Sequence, residues 1–253
     1  MVTNIHHVGI VVRSLEASYR FWRNTLRLPL VREAEIKDQG VRAALLAAGG
    51  SEIELLEPVA PDSGVARFLA KRGEGLHHLC FQTADVGGEL AALKGKGIPL
   101  IDAAPRPGLA GRIAFLSPKG CDGVLVELAT PDAPEPKLDS PVRFKRLVIS
   151  CQSPQETAKT YQDLFGLPEV EVNGGPRIML GWAGGSTLLM VRVTEVGGME
   201  GMVALSMVAP DMAPLIRRLE TANAAMLIGA GEITIEPQSS HGVHLHISRY
   251  HFP

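Results

Sequence analysis

His7 and His78 each close a His-His pair at the entry of an apolar strand, in Asn4-Ile5-His6-His7-Val8-Gly9-Ile10 and Gly75-Leu76-His77-His78-Leu79-Cys80-Phe81. Each pair is followed by a later apolar strand with a carboxylate inside it, Ser51-Glu52-Ile53-Glu54-Leu55-Leu56 and Gly123-Val124-Leu125-Val126-Glu127-Leu128. Side chains alternate across a strand, so His7 shares a face with Gly9 and Val11, while Glu54 lies opposite Ile53 and Leu55. A charge on the inner face of a strand is costly unless a cation or hydrogen bonds compensate it. Two imidazoles and two carboxylates brought together by a pseudo-twofold axis would make a divalent metal site with mixed nitrogen and oxygen ligands.

The elements that must position these groups repeat. Residues 5 to 12 alternate as a strand, Ser14 is placed as an N-cap, and Leu15, Tyr19, Trp22 and Leu26 share one helical face. Strands are expected near 30–36, 41–48 and 51–57, with a turn at Gly49-Gly50. After a short helix, Val65 to Lys71, the pattern returns: strand 76–83, cap Asp85, a helix carrying Val86, Leu90 and Leu93, and strands near 98–103, 112–117 and 123–129. Four prolines between Thr130 and Pro141 (Pro131, Pro134, Pro136 and Pro141) mark a stiff linker, placed at 132–141. Beyond it the same order is read twice more. Strand 144–151 meets the capping box Ser153-Pro154-Gln155-Glu156, then strands near 168–173, 177–182 and 186–193. Strand 202–208 meets the cap Asp211, a helix, and strands near 225–228, 232–236 and 243–249. The expectation is an α+β fold of four βαβββ modules in two pairs forming cup-shaped mixed sheets.

With 253 residues, 45% of them apolar, the chain can fill two cores. Its formal net charge of −2 gives no reason to expect nucleic acid or a membrane surface as partner. Cys80, Cys121 and Cys151 form no CxxC pair, which fits a reducing compartment. No secretory signal or membrane span is readable, and a cytoplasmic location is expected. His6 and His77 are expected on the face opposite His7 and His78, with structural or ligand-orienting roles. Glu52 and Glu57 are read as solvated or rim charges, Cys80 as an inert core thiol, and Cys121 as a turn residue open to solvent. His241, His244 and His246 are read as structural. Gly49-Gly50 and Gly184-Gly185 are turns, not phosphate loops, because no helix with Lys-Ser/Thr follows.

A duplicated βαβββ module whose first and last strands supply metal ligands resembles the vicinal oxygen chelate superfamily, the glyoxalase, bleomycin resistance and dioxygenase group. Residues 4–131 are specifically similar to methylmalonyl-CoA epimerases, through Ile5-His6-His7-Val8-Gly9-Ile10, Asp38-Gln39-Gly40-Val41, Glu52-Ile53-Glu54-Leu55-Leu56-Glu57-Pro58, Val65-Ala66-Arg67-Phe68-Leu69, Gly73-Glu74-Gly75-Leu76-His77-His78, Phe115-Leu116-Ser117-Pro118-Lys119 and Gly123-Val124-Leu125-Val126-Glu127-Leu128. The resemblance implies that His7, Glu54, His78 and Glu127 hold one divalent ion, Co, Zn, Mn, Ni or Fe, and leave two positions of an octahedron for substrate oxygens or water. It implies an isomerase that takes the C2 proton of a methylmalonyl-CoA-like thioester. Glu127 would be the catalytic base, and the enolate charge would lie against a fixed cation. No organic cofactor is expected. Small molecules, CoA thioesters among them, are the expected partners, with homodimerisation left open.

Three departures bear on the substrate rather than the metal. A second glutamate of some epimerases falls near Ala43; the Gly-x-His-Gly-Lys loop is Gly108-Leu109-Ala110-Gly111-Arg112; and Phe-Leu-His-Pro is Phe115-Leu116-Ser117-Pro118. Residues 1–131 are therefore read as a metal-binding, epimerase-like domain and 142–253 as a metal-free copy of the same fold, in which Arg146, Leu189, Ala204 and His246 take the four ligand positions. Two-domain dioxygenases of the superfamily usually keep metal in the C-terminal half, so this layout is reversed. A glyoxalase-type lyase, an extradiol dioxygenase and a non-catalytic small-molecule binding protein are the alternatives.

Overall fold

The computed structural model describes residues 1–134, 136, 138–171, 177–182 and 185–249. The first half forms a mixed sheet from β1 (Val2–Val11), β2 (Leu30–Ile36), β3 (Val41–Ala48), β4 (Ser51–Pro58), β5 (Gly75–Thr83), β6 (Arg106–Gly108), β7 (Gly111–Leu116) and β8 (Val126–Thr130), in the order β2-β3-β4-β1-β5-β8-β7-β6. The second half forms another from β9 (Arg143–Cys151), β10 (Ile178–Gly181), β11 (Thr187–Arg192), β12 (Gly201–Val208), β13 (Met226–Ile228), β14 (Glu232–Ile235) and β15 (Leu245–Ser248), in the order β10-β11-β9-β12-β15-β14-β13. In each sheet the opening strands of two modules, β1 with β5 and β9 with β12, pair antiparallel at the centre. The architecture is the α+β arrangement of two curved mixed sheets that the repeated modules imply.

Among the described residues, five α-helices accompany the sheets: α1 (Leu15–Tyr19), α2 (Gly64–Arg72), α3 (Val86–Gly95), α4 (Pro154–Phe165) and α5 (Met212–Thr221). Ser14, Ser63, Ser153 and Asp211 accept hydrogen bonds from the first turns of their helices, as the sequence implies for three of them. α1 departs from a simple helix. It passes into a π-helical stretch at Arg20–Thr25, closed by Leu26 N–H donating to the Phe21 carbonyl, so that Phe21 joins Leu15, Trp22 and Leu26 in the core.

The strand expected at 98–103 is instead a bridge at Leu100, and the outer strand of that hairpin lies later, at Arg106–Gly108. Pro99 has no N–H for a ladder, and the carboxylate of Asp102 takes the Phe115 N–H that a neighbouring strand would have used. The strand expected at 168–173 is likewise a bridge between Glu169 and Leu180, with Val172 and Asn173 outside the described residues. Gly184, half of the expected Gly184-Gly185 turn, also lies outside them. Among the described residues the third module thus has two strands after its helix where three were expected.

Both halves share one continuous apolar core. Ile5, Val8, Ile10, Ile53, Leu55, Leu79 and Phe81 from the first sheet meet Leu147, Ile149, Tyr161, Phe165 and Leu205 from the second. The Phe81 ring lies 4.9 Å from Phe165, and Tyr161 lies 5.5 Å from Phe165. Cys121 is fully buried at this junction, not solvent-facing, and the Tyr161 hydroxyl donates to its carbonyl at 3.3 Å. Among the described residues, the opposite face of each sheet lines cavity space. Among the described residues no helix is long and apolar enough to cross a membrane.

Candidate metal centre

β1, β4, β5 and β8 are neighbours in the first sheet, and each carries one of the four residues singled out by the repeat. Glu54 pairs with Gly9, His78 pairs with Gly9 from the other side, and Glu127 pairs with Cys80. Their ligand atoms lie within 4.8 Å of one another, on side chains that are all buried. His7 Nε2 is 2.9 Å from His78 Nε2, 3.5 Å from Glu54 Oε2 and 3.4 Å from Glu127 Oε2. His78 Nε2 is 3.3 Å from Glu54 and 2.9 Å from Glu127. An ion bound through nitrogen and oxygen at about 2.0–2.2 Å places adjacent ligands about 3 Å apart, so these spacings and donor types fit a divalent cation.

Two β-bulges shape this floor. The β1–β5 register shifts between Ile5 and His7 and again opposite His77, leaving His6 and His77 as extra residues. Ile5 and Val8, and likewise Leu76 and Leu79, therefore reach the same core although three positions apart. His6 and His77 do not point to the opposite face. Each sits beside its neighbour, with Nδ1 to Nδ1 distances of 2.9 Å for His6–His7 and 3.0 Å for His77–His78. That contact occupies Nδ1 of His7 and His78 and leaves their Nε2 atoms toward the carboxylates, an orientation that suits a ligating histidine. The three-residue apolar spacing was the sequence signal for these bulges.

Electrostatics set His78 apart from His6 and His77. Burial pulls His78 down, but the carboxylates of Glu127 and Glu54 outweigh it and raise the group to about 9. Burial would raise the Glu127 carboxyl, yet hydrogen bonding to His7 and His78 holds it well below the usual range. His6 and His77 are lowered to about 3, by burial first and the adjacent imidazole second, and are neutral at neutral pH. Glu52 is not a solvated rim charge. It is 8% exposed and shares the face of Glu54, with its carboxylate 3.7 Å from His6 Nδ1. Glu57 is half-buried and accepts the Leu15 N–H at 2.8 Å. Cys80 is fully buried and grouped with His6 and His7, and burial pushes its thiol up, as suits an inert sulfur.

A narrow chamber of about 40 Å³ reaches Glu54, His78 and Glu127 past Ala43, Leu109 and Ile113. It shares His77 and Phe115 with an outer cavity of about 790 Å³, whose rim carries Arg67, Lys71 and Arg72 from α2 and Arg106 from β6. Arg106 was not singled out by its sequence. It lies 5.5 Å from the Phe115 ring, its Nε donates to Asp102 at 3.1 Å, and its Nη1 is 3.9 Å from the Asp38 carboxylate.

The His78 ring lies directly over Gly9. A Cβ at that position would meet His78 Cε1 at 2.2 Å, far inside contact distance. Gly9→Ala is therefore expected to push the imidazole off the cluster and weaken divalent-ion binding at least about tenfold, measured by metal titration. Unchanged affinity would mean that His78 is not a ligand.

Residues 6–116 match the family model of the glyoxalase/bleomycin resistance protein/dioxygenase superfamily. The human mitochondrial methylmalonyl-CoA epimerase is 34% identical over 126 residues, covering 49% of this chain and 72% of that protein. A variant of the Streptomyces coelicolor methylmalonyl-CoA epimerase, solved with 2-nitronate-propionyl-CoA, is 42% identical with a TM-score of 0.51, over 53% of this chain and all of that one. A mutant 4-hydroxymandelate synthase from Streptomyces coelicolor covers 97% of this chain and 92% of its own with a TM-score of 0.72, and at 16% identity shares the fold alone. The chain belongs to the glyoxalase/bleomycin resistance protein/dioxygenase superfamily. Over its first half it carries an enzyme of the isomerase class, the epimerase type.

Proposed function

We propose that residues 1–131 act as a metal-dependent epimerase on an acyl-CoA thioester resembling methylmalonyl-CoA, joined through 132–141 to a metal-free half at 142–253. The observation that carries this reading is the convergence of two imidazole nitrogens and two carboxylates at the inner end of a cavity with a basic rim. His7, Glu54, His78 and Glu127 would hold the ion. When bound, a divalent ion there supplies fixed positive charge for a substrate carboxylate and for the charge that develops on a thioester oxygen as C2 loses its proton.

The remaining steps belong to side chains. Arg67, Lys71, Arg72 and Arg106 face the outer cavity and suit the phosphate-bearing arm of a CoA ester. Leu109, Ile113 and Phe115 exclude water from the reacting carbon. Glu127, held ionised, takes the C2 proton. Ala43 lines the same chamber and carries no proton, so the opposite face of C2 needs another group. Among the described residues, Glu54, His77 and His78 line that chamber, whereas Glu52 does not. An extradiol dioxygenase is disfavoured, because Glu54 adds a fourth protein donor to a His-His-Glu set.

The test is exchange in deuterated water, with cobalt-loaded protein and one stereoisomer of methylmalonyl-CoA. Deuterium entry at C2 with loss of stereochemistry is the expected result. Exchange without inversion would mean that Ala43 marks a one-base reaction. Absence of exchange in metal-containing protein would overturn the substrate class.

A further inference from the structure

His7 and His78 turn Nε2 toward the carboxylates, and each meets the preceding histidine through Nδ1, at 2.9 Å from His6 and 3.0 Å from His77. An imidazole that gives its Nε2 lone pair to a cation carries its proton on Nδ1. In the metal-loaded site the Nδ1–H of His78 therefore donates to Nδ1 of His77. An accepting Nδ1 bears no proton, so His77 is neutral and its own proton sits on Nε2. The same reasoning puts the proton of His6 on Nε2.

The fold places these two N–H groups differently. Nε2 of His6 is buried without a hydrogen-bond partner among the described residues, and His6 lines neither cavity of the first half. His77 lines both, the chamber of about 40 Å³ at the carboxylates and the outer cavity of about 790 Å³. Gln39, Val65, His77 and Phe115 are common to the two and form the neck between them. Phe68 stands edge-on to the His77 ring with centroids 4.9 Å apart, and His78 stands edge-on to it at 5.3 Å. The imidazole is thus held by two neighbouring rings, with Nε2 the nitrogen left for a ligand. Val65 and Phe115 are apolar, so the polar side chains at the neck are those of Gln39 and His77.

We propose that His77 contacts the substrate, donating its Nε2–H to an oxygen of the acyl group at the neck, with that proton held in place by metal binding at His78. This rests on the acyl thioester reading above. A neutral imidazole used in this way stabilises negative charge that develops on the oxygen while keeping its own proton. Both nitrogens of His77 are then committed, one as acceptor from His78 and one as donor to the ligand. The role of the group on the face of C2 opposite Glu127 does not fall to it.

Imidazole nitrogen shifts of the zinc-loaded full chain, labelled with ¹⁵N at histidine, test the proposal on the unaltered protein. The His77 signals are assigned from their absence in His77→Gln. The expected result is a protonated Nε2 and an unprotonated Nδ1 before substrate is added. Saturation with methylmalonyl-CoA should then move the Nε2–H proton downfield and slow its exchange with water. A proton on Nδ1 would overturn the proposal, as would an Nε2–H that stays unmoved while the His78 signals respond to the ligand. If no histidine signal responds, the CoA thioester reading itself fails and this proposal falls with it. In deuterated water at saturating zinc, His77→Phe should lower kcat/KM for C2 exchange at least about tenfold. His77→Gln, whose amide N–H reaches about as far as Nε2, should keep most of it. Equal losses in the two variants would also overturn the proposal, because the ring and not its donor would then be what matters.

Discussion

Glu127→Gln is expected to lower C2 proton exchange at least about a thousandfold and to reduce bound divalent metal, because one substitution removes a ligand charge and the proposed base together. The carboxylate is 3% exposed and lies 2.9 Å from His78 Nε2 and 3.4 Å from His7 Nε2. An amide at this position is neutral and cannot take a proton at neutral pH. Metal content by elemental analysis and deuterium entry by mass spectrometry read the two effects separately. Glu57→Gln is the contrast: that carboxylate accepts the first N–H of α1 and lines neither cavity of the first half, so its loss should leave exchange within about twofold. If Glu127→Gln kept both its metal and its exchange, the proposed site would be wrong.

Phe165→Ala is expected to cost about 3–5 kcal/mol of unfolding free energy. Phe165 belongs to α4 in the second half yet packs on Phe81 of β5 in the first, with both rings fully buried and Tyr161 closing the third side. Truncation leaves a void at the junction of the two sheets, where the surrounding rings cannot collapse without moving both halves. The loss should therefore appear in one urea transition, with amides of β1 and β9 losing exchange protection together. Independent loss of protection in β9, with β1 unaffected, would show that the halves are separable units and that the shared core does not couple them.

The two-cup architecture was legible because each module writes itself in local terms: an alternating strand, an N-cap such as Ser14 or Ser153, a helical face, and strands ended by glycine turns. His7, Glu54, His78 and Glu127 could be singled out for the same reason, since charged groups inside apolar strands at matched positions of a repeat need a common compensation. Alternation also placed Ile53, Leu55, Val8 and Ile10 in the core, where the structure has them.

Only the tertiary structure decided the rest. Whether His6 faces with or against His7 depends on the register between β1 and β5, strands far apart in sequence, and a bulge there reverses what alternation predicts. The equivalent shift between β9 and β12 sends Lys145 into the second cup beside Arg146. Glu52 and Cys121 look like surface residues in their own segments and are buried by elements elsewhere in the chain. Local sequence thus determined the modules and the donor residues, because periodicity and capping act within a few residues. Register, bulges and the packing of one half on the other decided which side chains meet, because those hydrogen bonds and contacts exist only once distant strands have paired.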